Sequence, residues 1–333
     1  MAKGYEQKCG KIRKFFANEV ELWERFNYVF SDSCRKTSTY KYAFIKAILD
    51  NLLSAQPSTN GLELSYGLLF SKFTENYWNI VIKHNLKQMR NNGTSKITKL
   101  EKIFYSVSDK SAVTSKIDFE CLSDSDRNKI INEVTKECKR YVVGALYEDF
   151  NGILYGFNIF DDGIWINPVA YEFMLKYKME IEKLNYYSWA RFMERIKENE
   201  CSKQILINLD KSTPRRKNLN IYRQILHEEY EQNNCFYCGA KLNKKMHVDH
   251  AIPWAFVKTD NLWNFVLACP KCNAKKNNLL PDRTKMSLIV SRNEVFLQSQ
   301  NDFVKDQCSG YSADLIWSLW GYAKMSGFRI ADV

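Results

Sequence analysis

The chain has 333 residues, 45% of them apolar and 26% charged, with a formal net charge of +11. This composition excludes a disordered or fibrous chain, and the length predicts two or more globular domains rather than one core. No apolar run is long enough to span a bilayer and the start, Met1-Ala-Lys-Gly-Tyr-Glu, is polar, so neither a membrane span nor export is expected and the cytoplasm is the expected compartment.

In chain order, residues 11–30 carry apolar side chains at helical spacing. A stronger helix is predicted from Thr39 to Leu53, with Ser38 or Thr39 as its N-cap. Residues 62–88 read as one or two further helices, and their stripe of Phe70, Phe73, Tyr77 and Trp78 fits core packing better than a base-stacking platform. Residues 90–125 are polar, with a turn signal at Asn91-Asn92-Gly93, and predict a long connection around a short helix near 97–106. Another amphipathic helix is predicted over 126–142. The period then changes. Ile153–Phe160 and Ile164–Asn167 flank Asp161-Asp162-Gly163, the pattern of a β-hairpin. Pro168 opens a long helical stretch to about Asn199, Lys211–Lys217 reads as a basic linker, and a helix runs from Leu219 to about Gln232. Beyond Pro281, short strands are predicted at Met286–Val290 and Glu294–Gln298. A final helix begins at Ala313, with Trp317 and Trp320 expected in its core face.

Chemistry concentrates between Cys235 and Asn277. The pairs Cys235-Phe-Tyr-Cys238 and Cys269-Pro-Lys-Cys272 can wrap one tetrahedral zinc, since a tight Cys-x-x-Cys turn presents two thiolates at about 2.3 Å from the metal. The other six cysteines, Cys9, Cys34, Cys121, Cys138, Cys201 and Cys308, show no framework spacing and are expected as free thiols. Between the pairs stand His247, Asp249, His250 and Asn264, and Asn273 and Asn277 follow at i and i+4 of a prospective helix. In an extended segment Asp249 and His250 point to opposite sides, so one can hold a metal while the other faces a substrate. A carboxylate, a histidine and amide oxygens are the parts needed to hydrolyse a phosphodiester. The positive charge gathers here too: residues 211–292 hold 15 Lys and Arg against 6 Asp and Glu, nine of the eleven net charges. That distribution suits a protein that neutralises phosphates.

Residues Asp249-His250-Ala-Ile-Pro253, Asn264-Phe-Val-Leu-Ala-Cys269 and Cys272-Asn273-Ala-Lys-Lys276 resemble the HNH (ββα-metal) endonuclease family in its four-cysteine form. The Asp-His dipeptide, the Asn fourteen residues on and the Asn nine further follow that family's spacing, with Asn273 where the family's name has His. The resemblance covers about 45 residues and implies an α+β protein. A mainly helical recognition or partner region over 1–210, with its small hairpin, would precede a zinc-stapled nuclease domain over 211–300, and residues 301–333 would supply a C-terminal helix packing back on the body. It implies His250 as general base, Asp249 and Asn273 as ligands of a catalytic magnesium or manganese ion, Asn264 as a brace of the histidine loop, and structural zinc on Cys235, Cys238, Cys269 and Cys272. His247 and Asn277 are further candidate ligands. Lys275, Lys276, Arg215 and Arg216 are candidate phosphate contacts.

Tyr40–Leu49 (Tyr-Lys-Tyr-Ala-Phe-Ile-Lys-Ala-Ile-Leu) and Phe73-Thr-Glu-Asn-Tyr77-Trp78 are similar to the front half of HNH-bearing proteins of restriction and phage-defence systems. The expected function is therefore a metal-dependent endonuclease cutting DNA, with RNA left open as substrate, in such a system. Two alternatives stand beside it: a nuclease effector or toxin subunit controlled by a protein partner, and a zinc module that binds nucleic acid without cutting it.

Overall fold

The computed structural model describes residues 7–14, 16–89, 97–108, 118–196, 205 and 218–331. The chain separates into two compact units, Met1–Pro214 and Arg215–Val333, and is α+β in class. Among the described residues no helix is long and apolar enough to cross a membrane.

The first unit is helical around one small antiparallel sheet. Strands β1 (Cys9–Gly10), β2 (Gln56–Ser58), β3 (Gly61–Ser65), β4 (Tyr155–Asn158) and β5 (Gly163–Ile166) run in the order β1-β4-β5-β3-β2. The predicted hairpin is β4–β5, with Phe157 opposite Ile164. Gly163 has to be glycine: a Cβ there would stand 2.3 Å from the carbonyl oxygen of Leu64 on the neighbouring strand. The β2–β3 hairpin was not expected. The sequence predicts helix over 62–88, yet the turn at Ser58-Thr59-Asn60-Gly61 sends 62–65 into the sheet before Ser65 caps the next helix.

Helices α1 (Glu19–Phe30), α2 (Tyr40–Asn51), α3 (Tyr66–Trp78), α4 (Lys99–Ser108), α5 (Asp124–Asp149), α6 (Pro168–Lys176) and α7 (Lys178–Glu194) complete this unit. The predicted single helix from Pro168 is two, parted at Tyr177, which leaves the helical region at φ −109 and ψ 22. Asn18 closes a capping box on α1, and Asn167, with Pro168 in the first turn, caps α6. The aromatic stripe is core, as expected: Phe73 and Tyr77 lie 4.9 Å apart and Tyr77 meets Trp189 of α7 at 5.6 Å, all three buried. An ion cluster crosses this core, where buried Lys46 pairs with Asp50 and with Glu182, the latter at 3.2 Å. The expected basic strap Lys211–Lys217, with Arg215 and Arg216, and Cys201 lie outside the described residues.

The second unit opens with α8 (Asn220–Gln224), which continues as a π turn over Ile225–Glu229. Its centre is an antiparallel hairpin of β6 (His247–His250) and β7 (Phe265–Ala268), registered with His250 opposite Phe265 and His247 opposite Ala268. Between the strands lie a short turn of helix, α9 (Trp254–Val257), and a loop; after them comes α10 (Pro270–Lys276). Helices α11 (Arg283–Leu297), α12 (Asp302–Cys308) and α13 (Ala313–Met325) follow. The strands predicted at Met286–Val290 and Glu294–Gln298 are instead one helix. Asp282 caps it through Lys285 N, and Met286, Ile289, Asn293 and Phe296 recur at helical spacing on its buried face. Trp320 is buried on α13 and its Nε1 donates to Pro281 O at 2.9 Å, while Leu280 bridges to Ile330. Residues 301–331 thus pack within the same unit as the zinc stretch.

Candidate metal centre and active site

The zinc stretch is built from a turn and a helix start. Cys235 N donates to Ala240 O and Gly239 N to Cys235 O, closing a knuckle in which Gly239 takes a positive φ of 72°. Phe236 N donates to Leu267 O and ties the knuckle to β7. On the other side Cys269 caps α10, its Sγ accepting from Cys272 N at 3.5 Å. The four sulfurs of Cys235, Cys238, Cys269 and Cys272 come within 4.8 Å of one another, and Cys238 Sγ lies 4.0 Å from Cys269 Sγ. Thiolates at about 2.3 Å from one zinc in a tetrahedron stand about 3.8 Å apart, whereas a disulfide needs about 2.05 Å. The cluster therefore fits zinc and not a disulfide.

Its electrostatics agree. Burial opposes ionisation of Cys235, but the backbone N–H groups of Cys238, Cys269 and Tyr237 outweigh it and bring that thiol down to about 7. Burial and the neighbouring sulfurs push Cys272 up to about 12. Four thiolates this close together need a cation to neutralise them.

Beside the cluster, Asp249, His250, Pro253, Trp254, Asn273 and Asn277 line a polar cavity of about 180 Å³. Asp249 and His250 are 9% and 4% exposed, so both side chains sit at the edge of the protein interior. Tyr237 OH donates to Asp249 Oδ2 at 2.6 Å, and Lys276 Nζ lies 3.2 Å from the same oxygen. That hydroxyl is held well out of its ordinary titration range by burial and by the Asp249 charge beside it. Asn273 Nδ2 pairs with His247 Nδ1 at 3.0 Å across the gap between α10 and β6. Asn277 closes α10 at φ 44°, its N–H bonded to Asn273 O.

Asn264 is 1% exposed and grips both main-chain polar groups of one residue with the two ends of its amide. Its Oδ1 accepts from Ile252 N at 2.8 Å and its Nδ2 donates to Ile252 O at 2.9 Å, while its backbone O accepts from Ala251 N. The turn that follows His250 is thereby fastened to the start of β7.

Lys276 stands elsewhere than its expected phosphate role requires. The side chain is fully buried, and its ammonium donates to His250 O at 2.6 Å as well as pairing with Asp249. It braces the strand that carries Asp249 and His250, and its head does not face solvent. Lys275, by contrast, is exposed on α10.

Three groups escaped the sequence reading. Asp260 Oδ1 lies 2.9 Å from His250 Nε2, and Tyr222 OH donates to Asp260 O at 3.3 Å. Tyr237, inside the first Cys-x-x-Cys pair, is set over Asp249 by the fold. Arg292 on α11 is half-buried and donates to the carbonyls of Phe265 and Trp263; Asn293 Nδ2 adds a bond to Trp263 O at 2.9 Å. Burial brings that guanidinium down to about 10. An acid in the loop ten residues past the histidine was the only available signal for Asp260. For Arg292 there was none, because its partners are main-chain carbonyls.

No curated protein and no solved structure matches the chain as a whole or in part. A family model does: residues 235–279 match the HNH endonuclease, over the span that holds the four cysteines, Asp249, His250, Asn264 and Asn273. The second unit of this chain therefore carries an HNH endonuclease domain of the four-cysteine kind.

Proposed function

We propose that the protein is a metal-dependent endonuclease that hydrolyses DNA phosphodiester bonds at the cavity of Asp249, His250 and Asn273. The observation that carries this reading is the pairing of His250 with Asp260 at the wall of that cavity. With the ring proton on Nε2 donated to the Asp260 carboxylate, Nδ1 keeps its lone pair and is the base. His250 takes a proton from water, the water oxygen attacks phosphorus, and the bond from phosphorus to the leaving oxygen breaks. Asp260 holds the imidazolium that results, as the carboxylate of a catalytic triad does.

Asp249 and Asn273 would hold a catalytic magnesium or manganese ion, their oxygens being the hard donors such ions prefer. Both bonds to Asp249 fall on Oδ2, which turns Oδ1 to this use, and the Nδ2 bond to His247 fixes which end of Asn273 is the oxygen. Bound there, the cation would stabilise charge on the leaving oxygen. His247 orients Asn273, and Tyr237 and Lys276 hold the Asp249 carboxylate.

The biological setting we propose is restriction or anti-phage defence inside the cell, supported by the similarity of Tyr40–Leu49 and Phe73–Trp78 to the front half of such proteins. A protein partner for the first unit belongs to the same proposal.

The test is cleavage of supercoiled plasmid and of RNA by the zinc-loaded full chain with magnesium, manganese or EDTA, against His250→Ala. Metal-dependent nicking lost in the variant supports the reading. Binding of nucleic acid without cleavage under any of these metals would make the second unit a zinc binding module instead.

A further inference from the structure

The second unit has a second concavity, larger than the one at Asp249 and His250. A groove of about 430 Å³ lies between α8 with its π turn and the loop that enters β6, lined by Arg223, Gln224, His227, Lys244 and Met246 among others. Met246 of its lining directly precedes His247, the first residue of the strand that carries Asp249 and His250. None of Arg223, Lys244 or His227 lies within the residues singled out for phosphate contact from the sequence, and two of them precede the segment that matches the HNH model.

Among the described residues, no ion pair or side-chain hydrogen bond engages Arg223, His227 or Lys244. The single carboxylate of the groove, Glu228, accepts from Gln224 Nε2 at 3.1 Å and projects from an exposed position. Two other cations of the unit are spent on the protein itself: Lys276 on Asp249 and His250 O, Arg292 on two carbonyls. Unspent cations in a concave, water-filled wall raise the local potential and attract a polyanion. Met246 is the only apolar side chain of the lining, and no Phe, Tyr or Trp ring stands in it to stack a base or seat an apolar ligand. Phosphate and sugar oxygens are what such a wall of guanidinium, ammonium, imidazole and amide donors can bind.

Resting on the nuclease reading above, we infer that this groove is the track for the phosphodiester backbone of the nucleic-acid strand flanking the scissile bond, with Arg223 and Lys244 as its phosphate contacts. Phosphate contacts of this kind supply position and not sequence selectivity, because the backbone oxygens are the same at every base. Glu228 sets an upper limit on how tightly the backbone is held.

The experiment measures binding of a labelled mixed-sequence duplex by the full-length zinc-loaded chain over a range of salt, in EDTA and on the His250→Ala background so that no cleavage intervenes. Replacing Arg223 and Lys244 together by Gln should make the slope of log K against log salt shallower by about 1.8, since each phosphate contact contributes about 0.9. The charge-keeping pair Arg223→Lys with Lys244→Arg should restore the slope, and Glu228→Gln should tighten binding. Zinc content and the unfolding midpoint should match the parent in every case, as these side chains make no contact that folding needs. A double variant with the parent's slope and affinity would overturn the groove while leaving the nuclease reading intact. A parent chain that binds neither duplex nor single strand would overturn both.

Discussion

Replacing Asn264 by Ala removes the two hydrogen bonds that close on the Ile252 main chain and puts nothing in their place. Ile252 is fully buried, so its N–H and C=O would be left without water as well as without a partner. Each such orphaned group costs about 1–3 kcal/mol, which places the loss at about 2–6 kcal/mol for the second unit. That is a large part of a typical domain stability of about 5–15 kcal/mol. The bond from Ala251 N to Asn264 O is main chain and survives, so the turn should loosen rather than detach. His250 directly precedes this turn, and a shift of about 1 Å in a reacting group costs roughly 100-fold in rate. Urea unfolding of the zinc-loaded chain, followed by a signal from the second unit and paired with plasmid cleavage, reads both effects. Asn264→Asp is the sharper companion. It keeps an acceptor for Ile252 N–H but sets a carboxylate oxygen against Ile252 O, and should be no better than Ala. An Asn264→Ala chain with parental stability and parental cleavage would refute the reasoning, because the amide clamp would then be holding nothing that matters.

Three further expectations follow from the same geometry. Asp260→Asn should reduce cleavage by roughly 100-fold or more at unchanged zinc content, since an amide can donate to Nε2 and so favour the tautomer that deprives Nδ1 of its lone pair; steady-state rates on plasmid check it. Replacing any one of Cys235, Cys238, Cys269 or Cys272 by Ser, or stripping the metal with a chelator, should unfold the knuckle, zinc binding being worth on the order of 10 kcal/mol in small zinc peptides. Elemental analysis finding well under one zinc per parent chain would remove the basis for this. Lys276→Met should destabilise the second unit by about 3–5 kcal/mol, because a buried carboxylate loses its cation, and should leave the salt slope of nucleic-acid binding as it was. A shallower slope at parental stability would return Lys276 to the surface role the sequence suggested.

Spacing alone was enough to find the metal cluster. Ligand pairs on tight turns are local objects, so Cys235 with Cys238 and Cys269 with Cys272 could be read from the chain, and the Asp249, His250, Asn264 and Asn273 intervals carried the family likeness that the model match over 235–279 supports. Helices with a clear period, such as those starting at Tyr40 and Ala313, were legible for the same reason, although the expected cap Thr39 turns its hydroxyl to Tyr77 and Gln88 instead. Only the tertiary structure decided how charges are spent. Lys276 and Lys275 are neighbours in sequence and equal in chemistry, but α10 turns one into the interior against Asp249 and the other outward. Asp260, Tyr237 and Arg292 acquire meaning from atoms brought to them by the hairpin and by α11, and nothing in their own neighbourhoods announces it. The strands expected at 286–298 failed on the same ground. An alternation of apolar and polar residues is compatible with both periods until a buried surface selects one, and here the surface of Trp263 and Phe265 selected the helix that presents Arg292 and Asn293 to their carbonyls. What is local in the chain is written in the sequence; which side of an element is buried depends on what packs against it.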